Sequence, residues 1–469
     1  MAFSSIEFLW LFMPLVLALY LALPPRARNA LLASLSLGFY LWGAHALLLM
    51  FLASIGFNYA AGIAIARDRE RGRPHRALWV LRVAVAANLA CLLFWKYTVW
   101  AVEQLFDTHP SIVLPLGISF FTFHGISYVV DVWRGTARPM RSLADYAQYM
   151  AFFPQLISGP IVRYHEIDEQ IRQPPPRAQR MADVAEGFPR FALGLSKKVV
   201  IADPLGGVVA AVFDGGATPG FGMTWVGALA FAMQIYFDFS GYSDMAIGLA
   251  RMFGLRFPEN FRRPYSAVSL TDFWRRWHMT LSRWFRDYLY IPLGGSRGSQ
   301  SQTVRNLFVV FFLTGIWHGA AWTFVLWGVF HGTLLVVERL TGIAALADDR
   351  AVVVRRATTF VAVVLGWVLF RANSVGDALQ LYRAMIPKPG VILDLPLEVS
   401  QAFTPQAKLA LAIGLATLLF PRGLVIGRML QDRWSGVPLA GRALAIATLP
   451  YTTILIAAGS FSPFLYFRF

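Results

Sequence analysis

The residues TDFWRRWHMTLSRWFRDYLYIPLGGSRGS (271–299) and FFLTGIWHGAAWTFVLWGVFHG (311–332) decide how this chain is read. The first is basic and rich in tryptophan, and the second is apolar. Three of the eight histidines fall in them: His278, His318 and His331. Taken as one helix, Thr271–Tyr290 places Trp274, Trp277, His278, Leu281, Trp284, Phe285 and Tyr288 on a single face. Arg275, Arg276, Met279, Arg283 and Arg286 fall largely on the other. An aromatic face opposite an arginine face predicts a helix lying in a membrane interface, capped by Thr271 or Asp272. Between Leu307 and Ala320 there is no Asp, Glu, Lys or Arg, so this second piece reads as inserted in the bilayer.

Composition agrees with a membrane setting. The 469 residues are 57% hydrophobic and only 14% charged, where a soluble chain carries about a quarter charged residues. Apolar runs long enough to span hydrocarbon recur along the chain. The net charge of +16 invites a nucleic-acid reading. The basic residues cluster between apolar runs, however, which is the positive-inside bias of cytoplasmic loops. Nucleic acid is therefore not expected as a partner. The single cysteine, Cys91, allows no internal disulfide and no thiolate metal site. No dense cluster of metal-ligating side chains is apparent, so no metal is expected. Gly294–Gly298 matches G-x-S-x-G but lies in a polar loop without a strand-to-helix turn.

Working outward, spans are expected at Phe8–Leu23, Ala30–Ala44, Leu47–Ala66, Leu78–Trp100 and Val113–Trp133. Further spans follow at Phe191–Phe213, Trp225–Phe253, Val353–Phe370, Leu409–Phe420 and Ala443–Ala458. Basic residues after the first run, rather than before it, predict an uncleaved helix with its N-terminus outside. Tyr146–Val162 is interrupted by Pro154 and the Gly159-Pro160 pair and reads as re-entrant or broken. The polar region Arg163–Arg190 reads as a cytoplasmic loop in which His165 has no evident partner. A surface helix is expected near Val375–Met385. The sum is an all-α polytopic membrane protein of about eleven or twelve spans with re-entrant and interfacial helices. It is expected as a single domain with N-terminal helices (1–145), a core (146–345) and C-terminal helices (346–469).

Intramembrane polar groups are functional candidates. Gln234, Asp238, Ser240, Ser243 and Asp244 occupy an otherwise apolar run and line a polar cavity or form a packing network. His124 is a candidate on the same ground, with a packing role equally open. His318 lies between Gly315 and Gly319, which either bring helices together or clear space for a substrate. A desolvated, neutral imidazole is what a general base needs to take a proton from a hydroxyl.

These stretches resemble the two histidine regions of the membrane-bound O-acyltransferases. The nearest branch O-acetylates alginate and related exopolysaccharides and D-alanylates teichoic acid. PLGISFFTFHGISYVVDVWRG (115–135), FFPQLISGPIVRYHE (152–166), YFDFSGYSDMAIG (236–248) and SPFLYFRF (462–469) carry the same resemblance. It implies a helical bundle around a central tunnel and an O-acyltransferase in the bacterial inner membrane, with acetyl-CoA or another acyl thioester as co-substrate and no tightly bound cofactor. It implies His318 as the catalytic histidine, acting as base or transient acyl carrier, and His278 as the second motif histidine. Trp277, Trp317, Arg275, Arg276, Asp238, Ser240, Tyr242 and Asp244 are the substrate-binding candidates, with donor phosphates near Arg275, Arg276 and Arg283. The implied partners are membrane lipids, a periplasmic SGNH-like acetyltransferase or acetyl carrier, and polysaccharide secretion machinery. A transporter of a lipid-linked sugar and a non-catalytic scaffold for a polysaccharide synthase are the rival classes.

Overall fold

The computed structural model describes residues 2–43, 47–106, 110, 112–215, 220–343, 351–387, 397–420, 424, 426, 439–459, 464 and 465. Among these there are helices and connecting turns and no strand. Asp107 and His109, in a stretch without Lys or Arg that reads as an outer loop, and Arg422, Arg428 and Arg433, in one that reads as an inner loop, lie outside the described residues.

The chain divides into two compact units. The first comprises Met1–Ala192, Ser243–Glu259 and Leu430–Ile446; the second comprises Leu193–Tyr242, Asn260–Met429 and Ala447–Phe469.

Helices of the first unit are α1 (Met13–Ala22), α2 (Pro25–Gly43), α3 (Leu48–Glu70), α4 (Pro74–Phe106), α5 (Ile118–Arg134), α6 (Leu143–Ala151), α7 (Phe153–Leu156) and α8 (Tyr164–Arg172). Most of α9 (Arg177–Ser196) belongs with them. Helices α3, α4 and α5 pack on one another, and the buried amides of Asn58 and Asn88 exchange hydrogen bonds of 3.2 and 2.8 Å. A Cβ at Gly125 of α5 would come within 2.9 Å of the Asn58 amide, so only glycine lets the third helix this close.

The interrupted segment is a broken helix, as its prolines and glycine require. Helix α6 starts where Ser142 accepts a hydrogen bond from the Asp145 N–H and stops at Phe152. After the short α7 the backbone runs irregularly to Arg163, buried throughout. A Cβ at Gly159 would sit 2.6 Å from the Pro154 carbonyl oxygen.

The polar region Arg163–Arg190 is a correction. It holds α8 and most of α9, separated by the triple proline, because Tyr164, Ile167 and Ile171 bury one face. His165, without an evident partner in the sequence, places Nδ1 2.8 Å from Asp131 Oδ2. Its backbone N–H donates to the same oxygen, which ties the first turn of α8 to α5.

The second unit contains the helical turn Lys197–Ala202, α10 (Asp203–Phe213) and α11 (Phe221–Met252) as far as Tyr242. It continues with α12 (Leu270–Trp274), α13 (Met279–Phe285), α14 (Gln300–His318), α15 (Trp322–Thr341), α16 (Val352–Arg371), α17 (Val375–Ala384), α18 (Leu397–Ala402) and α19 (Pro405–Ala416). Most of α20 (Leu439–Ala457) completes it. The core of this unit is aromatic, with Phe231, Phe273, Trp277, Trp327, Trp367 and Phe370 all buried. The expected surface helix is α17, capped by Ser374.

The chain is an all-α integral membrane protein. Among the described residues, α3, α4, α15 and α16 are long and apolar enough to cross a bilayer alone. Shorter apolar helices lie at Phe8–Ala22, Pro405–Leu419 and Ala445–Ala457.

Candidate active site

The single interfacial helix expected over Thr271–Tyr290 does not form. The segment is α12, a turn, α13 and a wider helical turn at Arg286–Tyr290. The break falls at His278, whose backbone is left-handed (φ 42°, ψ 52°). That conformation costs a residue with a Cβ roughly 1–2 kcal/mol, so surrounding contacts must enforce it. They do: the Met279 N–H donates to the Asn260 carbonyl oxygen (2.9 Å), and the Thr280 N–H and Oγ1 donate to Asn260 Oδ1 (3.3 and 2.8 Å).

The cap also differs from expectation. Ser269, not Thr271 or Asp272, caps α12 by accepting from the Asp272 N–H. Glu338 of α15 accepts from the backbone N–H groups of Leu270 and Thr271 and from the Thr271 hydroxyl. A carboxylate at a helix start meets orphan donors and the positive end of the dipole. Trp274, Trp277, Trp284 and Phe285 are buried within the protein, so the aromatic face is core rather than lipid-facing.

Helix α14 starts with a capping box, in which Ser299 and Gln302 satisfy each other's backbone N–H. It ends at His318. A Cβ at Gly315 would stand 2.4 Å from the Phe324 carbonyl oxygen and 3.0 Å from Gly328 Cα. A Cβ at Gly319 would strike the Phe324 ring at 2.2 Å. The two glycines of the TGIWHG motif therefore make room for α15.

The histidines sit among aromatic rings. His318 is 5% exposed, with ring centroids of Trp317 at 4.9 Å, Trp327 at 5.1 Å and Phe370 at 5.1 Å. The Trp327 ring also meets His331 at 4.8 Å, and Trp274 meets His331 at 5.2 Å. Gly366 of α16 leaves space for His331, since a Cβ there would lie 2.7 Å from Nε2. His278 stands edge-on to Phe239 at 4.7 Å and reaches Trp317 at 6.3 Å. Trp317 and Trp327 thus connect all three histidines within one unit. Burial alone pushes the His278 imidazole down to about 3, so it is neutral at physiological pH.

A cavity of about 710 Å³ adjoins this cluster through Trp274. Arg275 and Arg339 line it along with Phe311 and Leu335. Arg275 is exposed, whereas Arg276 pairs with Asp272 at 2.7 Å. Trp277 packs on Trp367 at 4.8 Å.

The remaining candidates lie on α11. Asp238 is buried against Lys198 Nζ at 2.7 Å and accepts from the Leu465 N–H at 2.9 Å. Asp203 shares the same ammonium at 2.6 Å. Ser240 is buried, and Tyr242 stands edge-on to Phe464 at 4.9 Å. Asp244 belongs to the first unit, where Arg190 bridges it and Glu259. Buried carboxylates in ion pairs are the packing-network alternative, since an unpaired charge there would be costly. Sequence reasoning missed Asn260, Glu338 and Trp327. The i, i+4 spacing of Trp327 and His331 was a usable signal for the last; nothing local marked Asn260.

The sequence model of the MBOAT, membrane-bound O-acyltransferase family matches residues 116–370, and the chain belongs to that family: it is an O-acyltransferase. The chain is 39% identical to a probable alginate O-acetylase AlgI of Azotobacter vinelandii, with all of both chains covered. It is 36% identical to a peptidoglycan O-acetyltransferase of Helicobacter pylori over 83% of this chain and 81% of that one. It is 29% identical to a teichoic acid D-alanyltransferase of Streptococcus thermophilus over 50% of this chain and 60% of that one.

Proposed function

We propose that this protein is an inner-membrane O-acetyltransferase that moves acetyl from cytoplasmic acetyl-CoA for O-acetylation of an exported polysaccharide such as alginate. The observation that carries the substrate reading is the end-to-end similarity to the probable alginate O-acetylase. The donor phosphates bind near Arg275 and Arg339, which line the cavity beside Trp274, because arginine suits phosphate geometry. A periplasmic carrier, SGNH-like in chemistry, receives the acetyl and passes it to a polymer too large to enter the membrane. D-alanyl transfer to an envelope polymer is the other acyl chemistry the relatives' names bring forward.

His318 is the general base. Its ring takes the proton of the acceptor hydroxyl as that oxygen attacks the thioester carbonyl. The C–O bond forms, the C–S bond breaks, and the departing thiolate takes the proton back from the imidazolium. The last turn of α14 supports this role, because partial negative charge at a helix C-terminus favours a transient cation by about 0.3–1 kcal/mol. The aromatic walls exclude water that would otherwise hydrolyse the donor.

The test is His318→Ala in a host lacking its own copy, with polymer O-acetyl content measured beside membrane protein level. Transfer should fall by about a hundredfold or more. A well-expressed variant that acetylates normally refutes the assignment. Purified protein that moves a substrate without consuming acetyl-CoA would instead support a transporter.

A further inference from the structure

We infer that Asn260 is a positioning residue that holds His278 as its Nδ1–H tautomer, with the Nε2 lone pair presented to the reacting groups. The inference rests on the acyl-transfer reading for its functional half and on geometry for its structural half.

The geometry starts from an atom whose identity is fixed. Asn260 Oδ1 lies 3.3 Å from the Thr280 backbone nitrogen and 2.8 Å from its hydroxyl. A backbone N–H can only donate, so the amide atom facing it is the oxygen, not the NH₂. His278 Nδ1 stands 3.1 Å from the same oxygen. An acceptor there requires a proton on Nδ1. In the neutral ring Nε2 then carries the lone pair, since one imidazole nitrogen donates and the other accepts.

The backbone serves the same end. Asn260 also accepts from the Met279 N–H through its main-chain oxygen, so one residue grips 278–280 at several points. The left-handed conformation at His278 turns the ring inward between Phe239 and Trp317. Strained backbone held by surrounding contacts is a mark of functional sites. Among the described residues, Phe239 of α11 and Trp317 of α14 stand against the ring and Asn260 meets Nδ1, and these three side chains are uncharged. The charged form of His278 is opposed by burial alone. A ring kept neutral and in one tautomer offers Nε2 as a hydrogen-bond acceptor to the acceptor hydroxyl or to the proton passing through His318.

The experiment uses the full-length protein with [15N]histidine in lipid, assigning His278 by difference against His278→Gln. At pH 7 the parent should show Nδ1 protonated and Nε2 not. A proton on Nε2 overturns the inference. In Asn260→Asp the new carboxylate should keep the imidazolium to a pH about one unit or more higher than in the parent, and the acid limb of the acyl-transfer profile should move up with it. An unmoved limb in a folded Asn260→Asp protein overturns the positioning role. Asn260→Leu should lose about a hundredfold in transfer and populate both tautomers, as expected when an orienting partner is removed. A retained single tautomer overturns the role of Asn260. If Asn260→Leu fails to fold, Asn260→Asp carries the test. The spectra do not depend on activity. If they come out as expected while His278→Gln transfers acetyl at the parental rate, the acyl-transfer reading of His278 fails and the tautomer assignment stands.

Discussion

His318 and His278 are both buried among aromatic side chains, yet the chain holds them by opposite means. His318 ends a regular, capped helix whose position is set by glycine-to-backbone contact with α15. His278 interrupts a helix, and hydrogen bonds to one asparagine hold it in a left-handed turn. Packing places the first, and polar contacts orient the second. Loss of shape should therefore displace His318 most, and loss of the asparagine contacts should reorient His278 most.

The largest stability effect should come from the packing side. In Gly315→Val, a side chain must enter a space where even a Cβ lies 2.4 Å from backbone oxygen. Backbone cannot give way as a side-chain tip can, so about 3 kcal/mol or more should be lost. Thermal unfolding in detergent would show this, together with loss of acyl transfer. A variant of parental stability would mean that α14 and α15 do not meet in this way.

A smaller effect should appear with pH at His278. Its pKa falls from 6.5 to about 3 on folding, so folding leaves it unprotonated where the unfolded chain binds a proton. The stability contribution is present above 6.5 and is lost as pH falls toward 3. The loss should be about 1 kcal/mol at pH 5.5. The melting temperature of the parent should therefore drop more between pH 8 and pH 5.5 than that of His278→Gln. Parallel curves would contradict the buried, neutral ring.

His165 supplies the opposite sign and the smallest effect. Its hydrogen bond to Asp131 raises its pKa, although partial burial opposes this. Its contribution is present below the unfolded value and fades as pH rises through the folded one. The ring is about a third exposed, so Asp131→Asn should cost less than about 1 kcal/mol, and more at pH 5 than at pH 9. An effect that grows with pH would place the proton elsewhere.

Much of the fold was legible because long apolar runs bounded by charge have few alternatives. Val353–Phe370 is expected and α16 is Val352–Arg371; Leu47–Ala66 is expected and α3 is Leu48–Glu70. The broken segment around Pro154 and Gly159 was also legible, since both residue types act on the backbone locally. The helix over Thr271–Tyr290 was misread because its periodicity continues through a turn that Asn260 imposes from outside it. Asp238 and Asp244 were visible as buried charge, but their partners Lys198 and Arg190 lie 40 and 54 residues away.

The sequence alone determined that the chain lives in a membrane, that it is helical, and which histidines stand in apolar surroundings. Those follow from composition, periodicity and local backbone chemistry, which each segment carries within itself. Only the tertiary structure decided that Gly315 and Gly319 seat α15, that Trp327 stands between His318 and His331, and that the Asn260 side-chain oxygen meets Nδ1 of His278. Each of these depends on which residue meets which across a long sequence separation, and no local propensity encodes that meeting.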